Sequence, residues 1–241
     1  MFISIPAKTG FAAFLLIFCS GFLWSQDQRM ARIPSGDAIQ QYLSEAKEYA
    51  VLFNGKIETP YEKPFANHPY LATNQYVQGA LCYNGVVYQD VFMRLDLFRD
   101  ELTVFFPGKP YRIVLEPEKF NYAVLSGFTV IASTREPPVR SSYVLLLKDG
   151  CYPVVKQYRG AVREEVTNLE LRRNVRFQEQ YFVYVDGVAR PVNSKNALLK
   201  LFADRKKELN AYARQHKLSF RSQSHAQSVI ALIDYYETLN R

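Results

Sequence analysis

Residues 77–106 carry the pattern on which the expected architecture depends, and they read VQGALCYNGVVYQDVFMRLDLFRDELTVFF. Asn84-Gly85 lies between two runs of β-branched and aromatic residues, which is the strongest short signal for a β-hairpin. A two-residue turn there pairs Cys82 with Val87. Alternation along the second strand then predicts an apolar face of Val87, Val91, Met93, Leu95 and Leu97, and a polar face of Tyr88, Asp90, Arg94 and Asp96.

Two more turn signals continue this pattern toward the C-terminus. Asp149-Gly150 and Asp186-Gly187 each lie between β-rich runs, so three tight hairpins and an antiparallel sheet are expected. The spacing of turns favours a curled sheet or a partly open barrel. The charged segment 160–174 is expected to be a solvated excursion whose secondary structure the pattern leaves open. Further short strands are expected at 102–106, 111–115 and 128–132.

Helical patterns frame the predicted sheet. Residues 37–53 place apolar side chains at helical intervals and end at Asn54-Gly55, which predicts an amphipathic helix with a C-terminal cap. One N-terminal helix, many strands and about three C-terminal helices define an α+β fold. The C-terminal helices are expected over 197–202 with Ser194 as cap, from Asp204, and from Ser224 with Gln227 completing a capping box.

The N-terminus has the features of a secretory signal peptide over residues 1–25. Lys8 precedes an apolar run over 11–22, and Ser25 supplies a small residue at the expected cleavage point. Two alternatives use the same segment. A lipoprotein signal acylated at Cys19 is disfavoured by Phe18, and an uncleaved anchor is disfavoured by the short apolar run. Export to a bacterial periplasm or cell surface follows from the signal-peptide interpretation.

Cleavage after residue 25 leaves one expected α+β domain over 26–241. It has 29 basic and 23 acidic side chains, a net charge of +6. A chain of this length buries enough surface to fold without a disulfide or a metal. No further apolar run reaches membrane-spanning length, so no transmembrane segment is expected in the mature chain. Nucleic acid is a poor partner for an exported protein, and none is expected.

Three segments resemble an uncharacterised family of exported envelope proteins of Bacteroidota, often encoded beside TonB-dependent outer-membrane transporters. They are NHPYL at 67–71, YNGVVYQDVFMRLDLFRDEL at 83–102, and LLKLFADRKKELNAYARQHKLSFR at 198–221. The resemblance covers most of the mature chain. It implies an envelope location and an exported α+β fold, and it implies no catalytic residue.

The patterns that accompany catalysis or cofactor binding are missing from the sequence. His68, His216 and His225 are widely separated, with no HExxH or CxxC spacing, so no metal site is predicted. Ser126-Gly127 lacks the spacing of a nucleophile elbow, and no glycine-rich loop opens a helix. We therefore expect no enzyme, no catalytic residue and no cofactor. His216 lies on the apolar stripe of its helix, where a packed histidine is expected.

Acidic residues and cysteines also favour structural roles. Asp96, Asp100 and Glu101 alternate with apolar residues near a strand end, so solvated turn carboxylates are expected in place of an acid–base pair or a calcium site. Cys82 falls on the predicted apolar face with Val87, where a thiol behaves as a small hydrophobe. A disulfide between Cys82 and Cys151 stays an open alternative, since such a bond requires strict geometry.

A long segment over 55–74 interleaves prolines with aromatic side chains. Loops of this length are often functional, and rings among prolines make rigid contact surfaces. The other interpretation is that the rings clamp the loop across the sheet and cover an edge of it. The candidate ligand or partner contacts are Tyr61, Phe65, His68 and Tyr70.

Basic residues cluster on the C-terminal helices. Such a run is usually a solvated helix face. In an envelope it can also meet anionic lipid head groups or an acidic protein surface. The candidate basic surface consists of Arg205, Lys206, Lys207, Arg214, Lys217 and Arg221.

These observations lead to three functional hypotheses. The first is a non-catalytic accessory protein, periplasmic or associated with the outer membrane, that docks on or assists an outer-membrane protein or an anionic envelope surface. The alternative is a carrier that encloses a small apolar ligand within a curled sheet. The third is a hydrolase, which requires His68 close to a carboxylate and a serine.

Overall fold

The structure, a computed structural model, describes residue 52 and residues 54–63, 65–105, 108, 110–133, 136–167, 170–221 and 224–240. All of them belong to one compact unit, Pro34–Arg241. The expected signal peptide over 1–25 lies outside the described residues. The expected helix over 37–53 also lies outside them, apart from Leu52, whose side chain is buried.

An antiparallel sheet followed by helices forms the described chain, which confirms the α+β class in its broad form. The strands are β1 (Lys56–Ile57), β2 (Val77–Tyr83), β3 (Val86–Asp96), β4 (Glu101–Phe105), β5 (Arg112–Val114), β6 (Phe120–Leu125), β7 (Phe128–Ala132), β8 (Tyr143–Lys148), β9 (Val154–Thr167), β10 (Glu170–Val185) and β11 (Val188–Pro191). The helices are α1 (Lys195–Leu201), α2 (Lys206–Gln215) and α3 (His225–Leu239). Within the described residues, none of these helices has the length and apolar character needed to cross a bilayer.

The described strands form one sheet in the order β1-β5-β4-β3-β2-β6-β7-β8-β9-β10-β11. Each neighbouring pair is antiparallel. The sheet is not closed, because β1 and β11 lie at opposite ends of this order. Most neighbouring strands also follow each other in the chain, which is the meander that frequent turn signals predict.

The hairpin between β2 and β3 has the predicted register. Cys82 pairs with Val87, and Asn84 and Gly85 form the two-residue turn. Both turn residues have positive φ, 52° and 76°, as a type I′ turn requires. Asparagine and glycine adopt this conformation with the least strain, so the local sequence specifies the turn.

A β-bulge interrupts the same pair of strands farther from the turn. Gly79 pairs with Val91 and Leu81 with Tyr88, so β3 contains one more residue than β2 between these pairs. Asp90 lies within this interval and has a φ of 57°. An extra residue on one strand of an antiparallel pair reverses the side-chain alternation beyond it.

The bulge makes part of the predicted facing wrong. Tyr88 joins the hydrophobic core with Val91, Met93 and Leu95, while Val87 does not. Cys82, which pairs with Val87, therefore lies on the face opposite to the core cluster. The prediction holds from Val91 onward, because the alternation is regular on that side of the bulge.

The turn at Asp149-Gly150 is longer than predicted. β8 ends at Lys148 and β9 begins at Val154, so five residues connect the strands. Tyr152 in this connection packs edge-on against Phe202 at 5.3 Å and Tyr236 at 5.5 Å between ring centroids. The connection thus serves helix packing, which its Asp-Gly dipeptide does not reveal. The Asp186-Gly187 turn is tight, as predicted, with φ of 51° and 76°.

The sheet folds over itself, so that β8 meets the turn between β3 and β4. Asp100 in that turn accepts hydrogen bonds from the backbone N–H of Ser142 (2.6 Å) and of Tyr143 (3.4 Å). The Tyr143 hydroxyl donates to the carbonyl of Leu115 at 3.4 Å. The expectation of a solvated turn carboxylate is therefore wrong for Asp100, which holds two distant parts of the sheet together.

Two hydrophobic clusters occupy one face of the sheet. The first lies between the strands of the folded-over part and includes Leu81, Tyr83, Met93, Leu95, Leu102, Val104, Ile113, Leu125, Val130 and Leu145. The second lies between the helices and the β9–β11 end and includes Val154, Tyr181, Val183, Leu198, Phe202, Leu209, Val229, Leu232 and Ile233. Burial of apolar side chains on this scale is the main source of stability of a domain.

A predicted cap begins α1, and Lys148 pairs with two acidic residues of α3. Ser194 accepts a hydrogen bond from the Ala197 N–H at 3.2 Å, which confirms it as the N-cap of α1. The predicted capping box at Ser224 is wrong, because this residue has helical dihedral angles and its side chain makes no capping bond. Lys148 of β8 bonds Glu237 of α3 at 3.0 Å. Burial would lower the pKa of Lys148, but Glu237 and Asp234 raise it above its ordinary value.

The described residues of the charged segment 160–174, which are 160–167 and 170–174, are regular β-structure. They belong to the long hairpin of β9 and β10, which pair from Val154↔Val183 to Thr167↔Glu170. The predicted solvent exposure of this segment is correct. The sequence pattern did not indicate that its residues pair as two long strands. The side chains alternate along this segment, with Val162, Glu164 and Val166 interleaved with Arg163 and Glu165. This is the two-residue period of a strand, and the high charge obscures it in the sequence.

Candidate functional site

The aromatic segment between β1 and β2 crosses from β3 to β10. At β3, the Leu71 N–H donates to the carbonyl of Leu95 and the Leu97 N–H donates to the carbonyl of Pro69, both at 2.9 Å. At β10, the Ala66 N–H donates to the carbonyl of Arg173 at 2.7 Å. The segment therefore links two strands that have five other strands between them in the sheet order. We call residues 58–76 the bridging loop.

Asn67 completes the attachment of the bridging loop to β10. Its side-chain amide donates to the carbonyl of Val175 at 2.7 Å, and its side-chain oxygen accepts from the Val175 N–H at 2.8 Å. An asparagine amide places an N–H donor and a carbonyl acceptor side by side, in the spacing that the N–H and C=O of one strand residue require. The side chain thus substitutes for a strand residue along the outer edge of β10.

Aromatic rings clamp the first half of the bridging loop. Tyr61 and Phe65 are in edge contact with ring centroids 5.0 Å apart, and Phe65 meets Phe98 at 5.6 Å. Two guanidinium groups flank the rings, with Arg99 3.8 Å from the Tyr61 centroid and Arg173 5.2 Å from the Phe65 centroid. Stacking of this kind stabilises a loop whose backbone has few regular hydrogen bonds.

A largely buried ion pair anchors the second half of the loop. Arg94 of β3 lies between two rings, with its guanidinium carbon 3.7 Å from the Tyr70 centroid and 4.4 Å from the Tyr76 centroid. Its terminal nitrogens donate to Glu58 at 2.9 Å and to the carbonyl of Asn74 at 2.8 Å. The Tyr76 hydroxyl donates to the same carboxylate at 2.7 Å. Burial and the hydrogen bond to Glu58 raise the pKa of Tyr76.

The two halves of the loop border a surface pocket of about 530 Å³. All four aromatic residues selected from the sequence line it. Tyr61, Phe65 and Tyr70 are half-buried, whereas His68 is exposed. The other residues that line the pocket are Glu58, Thr59, Pro60, Ala66, Asn67, Pro69, Asn74, Arg94 and Arg112. We call this cavity the loop pocket.

Most of the titratable groups around the loop pocket serve the structure. Glu58 is used by Arg94 and Tyr76, and the Tyr61 hydroxyl donates to Asp96 at 2.6 Å. The Nε of Arg94 is buried without a hydrogen-bond partner among the described residues. His68 is within hydrogen-bonding distance of the Tyr70 carbonyl through Nδ1, at 3.1 Å. The arrangement can hold a ligand by stacking and by cation contact.

Asp96 is buried, so the prediction of a solvated turn carboxylate is wrong for it as well. Its side chain is covered by Tyr61 and accepts the backbone N–H groups of Phe98 (2.9 Å) and Arg99 (2.8 Å). Burial raises the pKa of Asp96 above its ordinary 3.8, although the hydrogen bonds from Tyr61 and the two amides oppose this rise. Glu101 is the third carboxylate of the set and lies 3.7 Å from Lys56.

The buried Asp96 gives a testable pH dependence. Because its pKa is raised in the folded state, its contribution to stability is fully present below about pH 3.8 and is lost as the pH rises through the folded-state pKa. Tyr61 bonds best to the charged carboxylate. We therefore expect Tyr61→Phe to lower the free energy of unfolding by about 1.5 kcal/mol near neutral pH and by less near pH 3.

Chemical denaturation at both pH values measures this effect. In an Asp96→Asn background the effect of Tyr61→Phe is expected to be independent of pH, because position 96 no longer titrates. An equal loss at both pH values in the wild-type background would contradict the assignment.

The histidines do not lie where the sequence pattern suggests. His216 is exposed and follows the end of α2 as its C-cap, so the prediction that it packs in the core is wrong. His225 is the buried histidine. Its Nε2 lies 2.9 Å from the Val192 carbonyl oxygen and its Nδ1 lies 3.2 Å from the Phe220 carbonyl oxygen.

Cysteines and possible metal ligands are dispersed. Cys82 is buried and Cys151 is exposed, and both thiols are free. In the part of the chain that the structure describes, no group of three or more His, Cys, Asp or Glu side chains is placed to hold a metal ion.

The candidate basic surface lies on and beside α2. Lys206, Lys207, Arg214 and Lys217 are exposed, and Arg221 beyond the helix is exposed too. Arg205 is half-buried, 3.6 Å from Glu208. This surface is not connected to the loop pocket by any shared lining residue.

Some residues of the site are not evident from the sequence. Arg94, Glu58 and Arg112 line the loop pocket and were not selected as candidates, because the contacts that join them span many residues in the chain. A usable signal was the position of Arg94 between the apolar residues Met93 and Leu95 of a predicted strand. Comparison with known proteins gives no match for this chain, neither to a family model nor to a curated protein nor to a solved structure.

Proposed function

We propose that this protein is a non-catalytic interaction protein of the bacterial envelope, exported and then periplasmic or associated with the outer membrane. In this proposal the loop pocket contacts an outer-membrane protein. The signal-peptide pattern over 1–25 and the resemblance to exported envelope proteins support the location. In this proposal the sheet is a partly open barrel, and the bridging loop ties β3 to β10.

The observation that carries the proposal is the construction of the loop pocket. Rings and guanidinium groups are held rigidly by Glu58, Asp96 and Asn67, while the pocket itself is open to the surface. Aromatic and arginine side chains fixed in this way are typical of residues that dominate binding at protein interfaces. Titratable groups engaged in structural bonds are less suited to proton transfer, which favours binding over catalysis.

The other hypotheses have less support. A carrier needs a lumen, but the space between the folded-over strands is occupied by packed side chains such as Tyr83, Met93 and Leu145. A hydrolase needs a histidine bonded to a carboxylate and a serine, and the described hydrogen bond of His68 is to the Tyr70 carbonyl. The candidate basic surface on α2 remains a second place where an acidic protein can dock.

Photo-crosslinking in the native envelope tests the proposal. A photoreactive amino acid at position 68 is expected to give an adduct with an outer-membrane protein, because His68 is exposed at the pocket. The matched control is the same replacement at Tyr122, which is 37% exposed on β6 and outside the loop pocket. Fractionation of the variants controls for export.

The expected result is an adduct from position 68 and none from position 122, identified by mass spectrometry. Equal adducts from both positions, or a protein that fractionates with the cytoplasm, would contradict the proposal. A Tyr70→Ala substitution is expected to reduce the adduct from position 68, since it removes one wall of the pocket.

A further inference from the structure

The β9–β10 hairpin extends beyond the rest of the sheet. β8 pairs with β9 only as far as Lys156, and β11 pairs with β10 only from Phe182 onward. Between these limits and the turn, the two strands form a two-stranded ribbon. The bridging loop contacts one of its edges at Arg173 and Val175. We call the part over 158–167 and 170–181 the ribbon.

One face of the ribbon is basic. In the observed register Ala161 pairs with Arg176 and Glu165 pairs with Arg172, so these side chains share a face. Side chains on one face recur at every second residue, and cross-strand diagonal neighbours lie about 7–8 Å apart. The arginines of this face are Arg159, Arg163, Arg172 and Arg176, and all four are exposed.

The register places two acidic residues on this face, Glu165 and Glu170, against the four arginines. Glu165 lies 3.9 Å from Arg163 and is itself exposed. The four arginines never oppose each other directly, because their cross-strand partners are Gln178, Asn174, Glu165 and Ala161. They are therefore arranged in a zigzag that leaves an excess of positive charge along the ribbon. Such a row suits phosphate groups, which arginine binds through two parallel hydrogen bonds.

The opposite face of the ribbon has exposed apolar side chains near its far end, on both sides of the Glu164–Arg173 ion pair (2.9 Å). Val166 pairs with Leu171, and these side chains are 74% and 55% exposed. Val162 is 36% exposed on the same face. Nearer the domain this face is covered, since the Cβ position of Gly160 lies 2.8 Å from the ring of Phe98. Val166 and Leu171 therefore continue this face of the ribbon beyond the part that the domain covers.

We propose that the ribbon binds the anionic phospholipid head groups of an envelope membrane, with Val166 and Leu171 entering the boundary of the acyl chains. Apolar side chains next to arginines are the composition of segments that lie in a membrane interface. The arginines have long apolar stems, so their guanidinium groups reach the phosphate level while the neighbouring apolar pair is immersed. The proposal rests on the envelope location of the proposed function.

Charge complementarity favours this occupant. The chain as a whole is basic, with a net charge of +7, and the ribbon face concentrates that charge at a projecting element. Each arginine or lysine close to an anionic membrane increases the binding affinity about fivefold. An acidic protein would also satisfy the arginines, so the test includes it as an outcome.

Vesicle co-sedimentation of the full mature chain tests the inference. We expect binding to vesicles of phosphatidylcholine mixed with phosphatidylglycerol, and much weaker binding to phosphatidylcholine alone. The variant Arg159→Gln, Arg163→Gln, Arg172→Gln, Arg176→Gln is expected to bind the anionic vesicles roughly 600-fold more weakly, because it loses four cations that each contribute about fivefold. Added salt is expected to weaken binding of the wild type, because screening acts on exposed charges.

Two further variants give the controls. Lys206→Gln, Lys207→Gln, Arg214→Gln, Lys217→Gln removes the same charge from the α2 surface and is expected to retain most of the binding. Val166→Ser with Leu171→Ser retains the charge and is expected to weaken binding at least several-fold. Circular dichroism and the midpoint of unfolding verify that each variant is folded.

Equal losses in the ribbon and α2 variants would overturn the inference, because binding would then follow net charge alone. Wild type that binds a soluble poly-glutamate peptide more tightly than the anionic vesicles would also overturn it in favour of an acidic protein. The crosslink at position 68 is independent of these results. Vesicle binding without that adduct would count against the loop pocket and leave the ribbon assignment intact.

Discussion

Removal of the Arg94 guanidinium, as in Arg94→Met, is expected to lower the free energy of unfolding by about 3 kcal/mol, because it leaves a largely buried carboxylate without its cation. The side chains of Arg94 and Glu58 are only 15% and 14% exposed. The substitution also removes the donor to the Asn74 carbonyl and the cation between Tyr70 and Tyr76. Denaturant titration followed by fluorescence measures the change.

A double-mutant cycle separates the ion pair from the packing of the side chain. Glu58→Gln alone leaves the guanidinium without its counter-charge, and we expect it to be destabilising as well. The double variant is expected to be more stable than the sum of the two single losses predicts, because neither charge is then left alone. Additive losses would show that the two groups are not coupled.

Substitution of Gly79 by alanine is the second change with a large expected effect. A Cβ at this position would lie 2.1 Å from the Val124 carbonyl oxygen and 3.2 Å from its carbonyl carbon. Backbone atoms of β6 cannot move away as a side chain can, so β2 and β6 must separate locally. We expect a loss of about 3 kcal/mol or failure to fold, which is at the upper limit for overpacking.

Gly160→Ala is the matched control for this prediction. The added Cβ would lie 2.8 Å from the Phe98 ring and 3.0 Å from the Phe177 ring, which are the ends of side chains. Ring rotation relieves such a contact, so the loss is expected to be about 1 kcal/mol. Thermal unfolding of the two variants beside the wild type decides the comparison. A milder effect at Gly79 than at Gly160 would contradict the explanation.

The hairpins show how far local sequence predicts this fold. Asn84-Gly85 and Asp186-Gly187 specify their turns, since the required positive φ values depend on the turn residues themselves. Ser126-Gly127 forms a turn with the same signs, φ of 51° and 78°, between β6 and β7. The dipeptide lacks the spacing of a nucleophile elbow, and a turn was not predicted for it. Its position between two β-rich runs is nevertheless a hairpin signal that the sequence contains.

Features that depend on distant contacts were not predictable from the pattern. The bulge at Asp90 reflects the pairing of β2 with both β3 and β6, and one inserted residue changed the facing of Tyr88 and Val87. The local sequence predicts a solvated carboxylate at Asp96. In the structure it is covered by Tyr61 of the bridging loop, which is 35 residues away in the chain. The four aromatic candidates were found because prolines and rings in a long loop are a local signal.

The Asn67 side chain has a consequence for the behaviour of the protein in concentrated solution. An uncovered strand edge offers its peptide groups to a neighbouring molecule, and such edges are where chains join into fibrils. Asn67 occupies the peptide groups of Val175 on one side of the longest hairpin, and it does so from a loop that cannot extend into a further strand past Pro69. On the other side, the edge of β9 beyond Lys156 carries Arg159 and Arg163, whose charges repel a second copy. The two longest strands are thus protected from pairing with a second molecule. The Asn67 side chain occupies one edge, and like charge repels a second copy at the other.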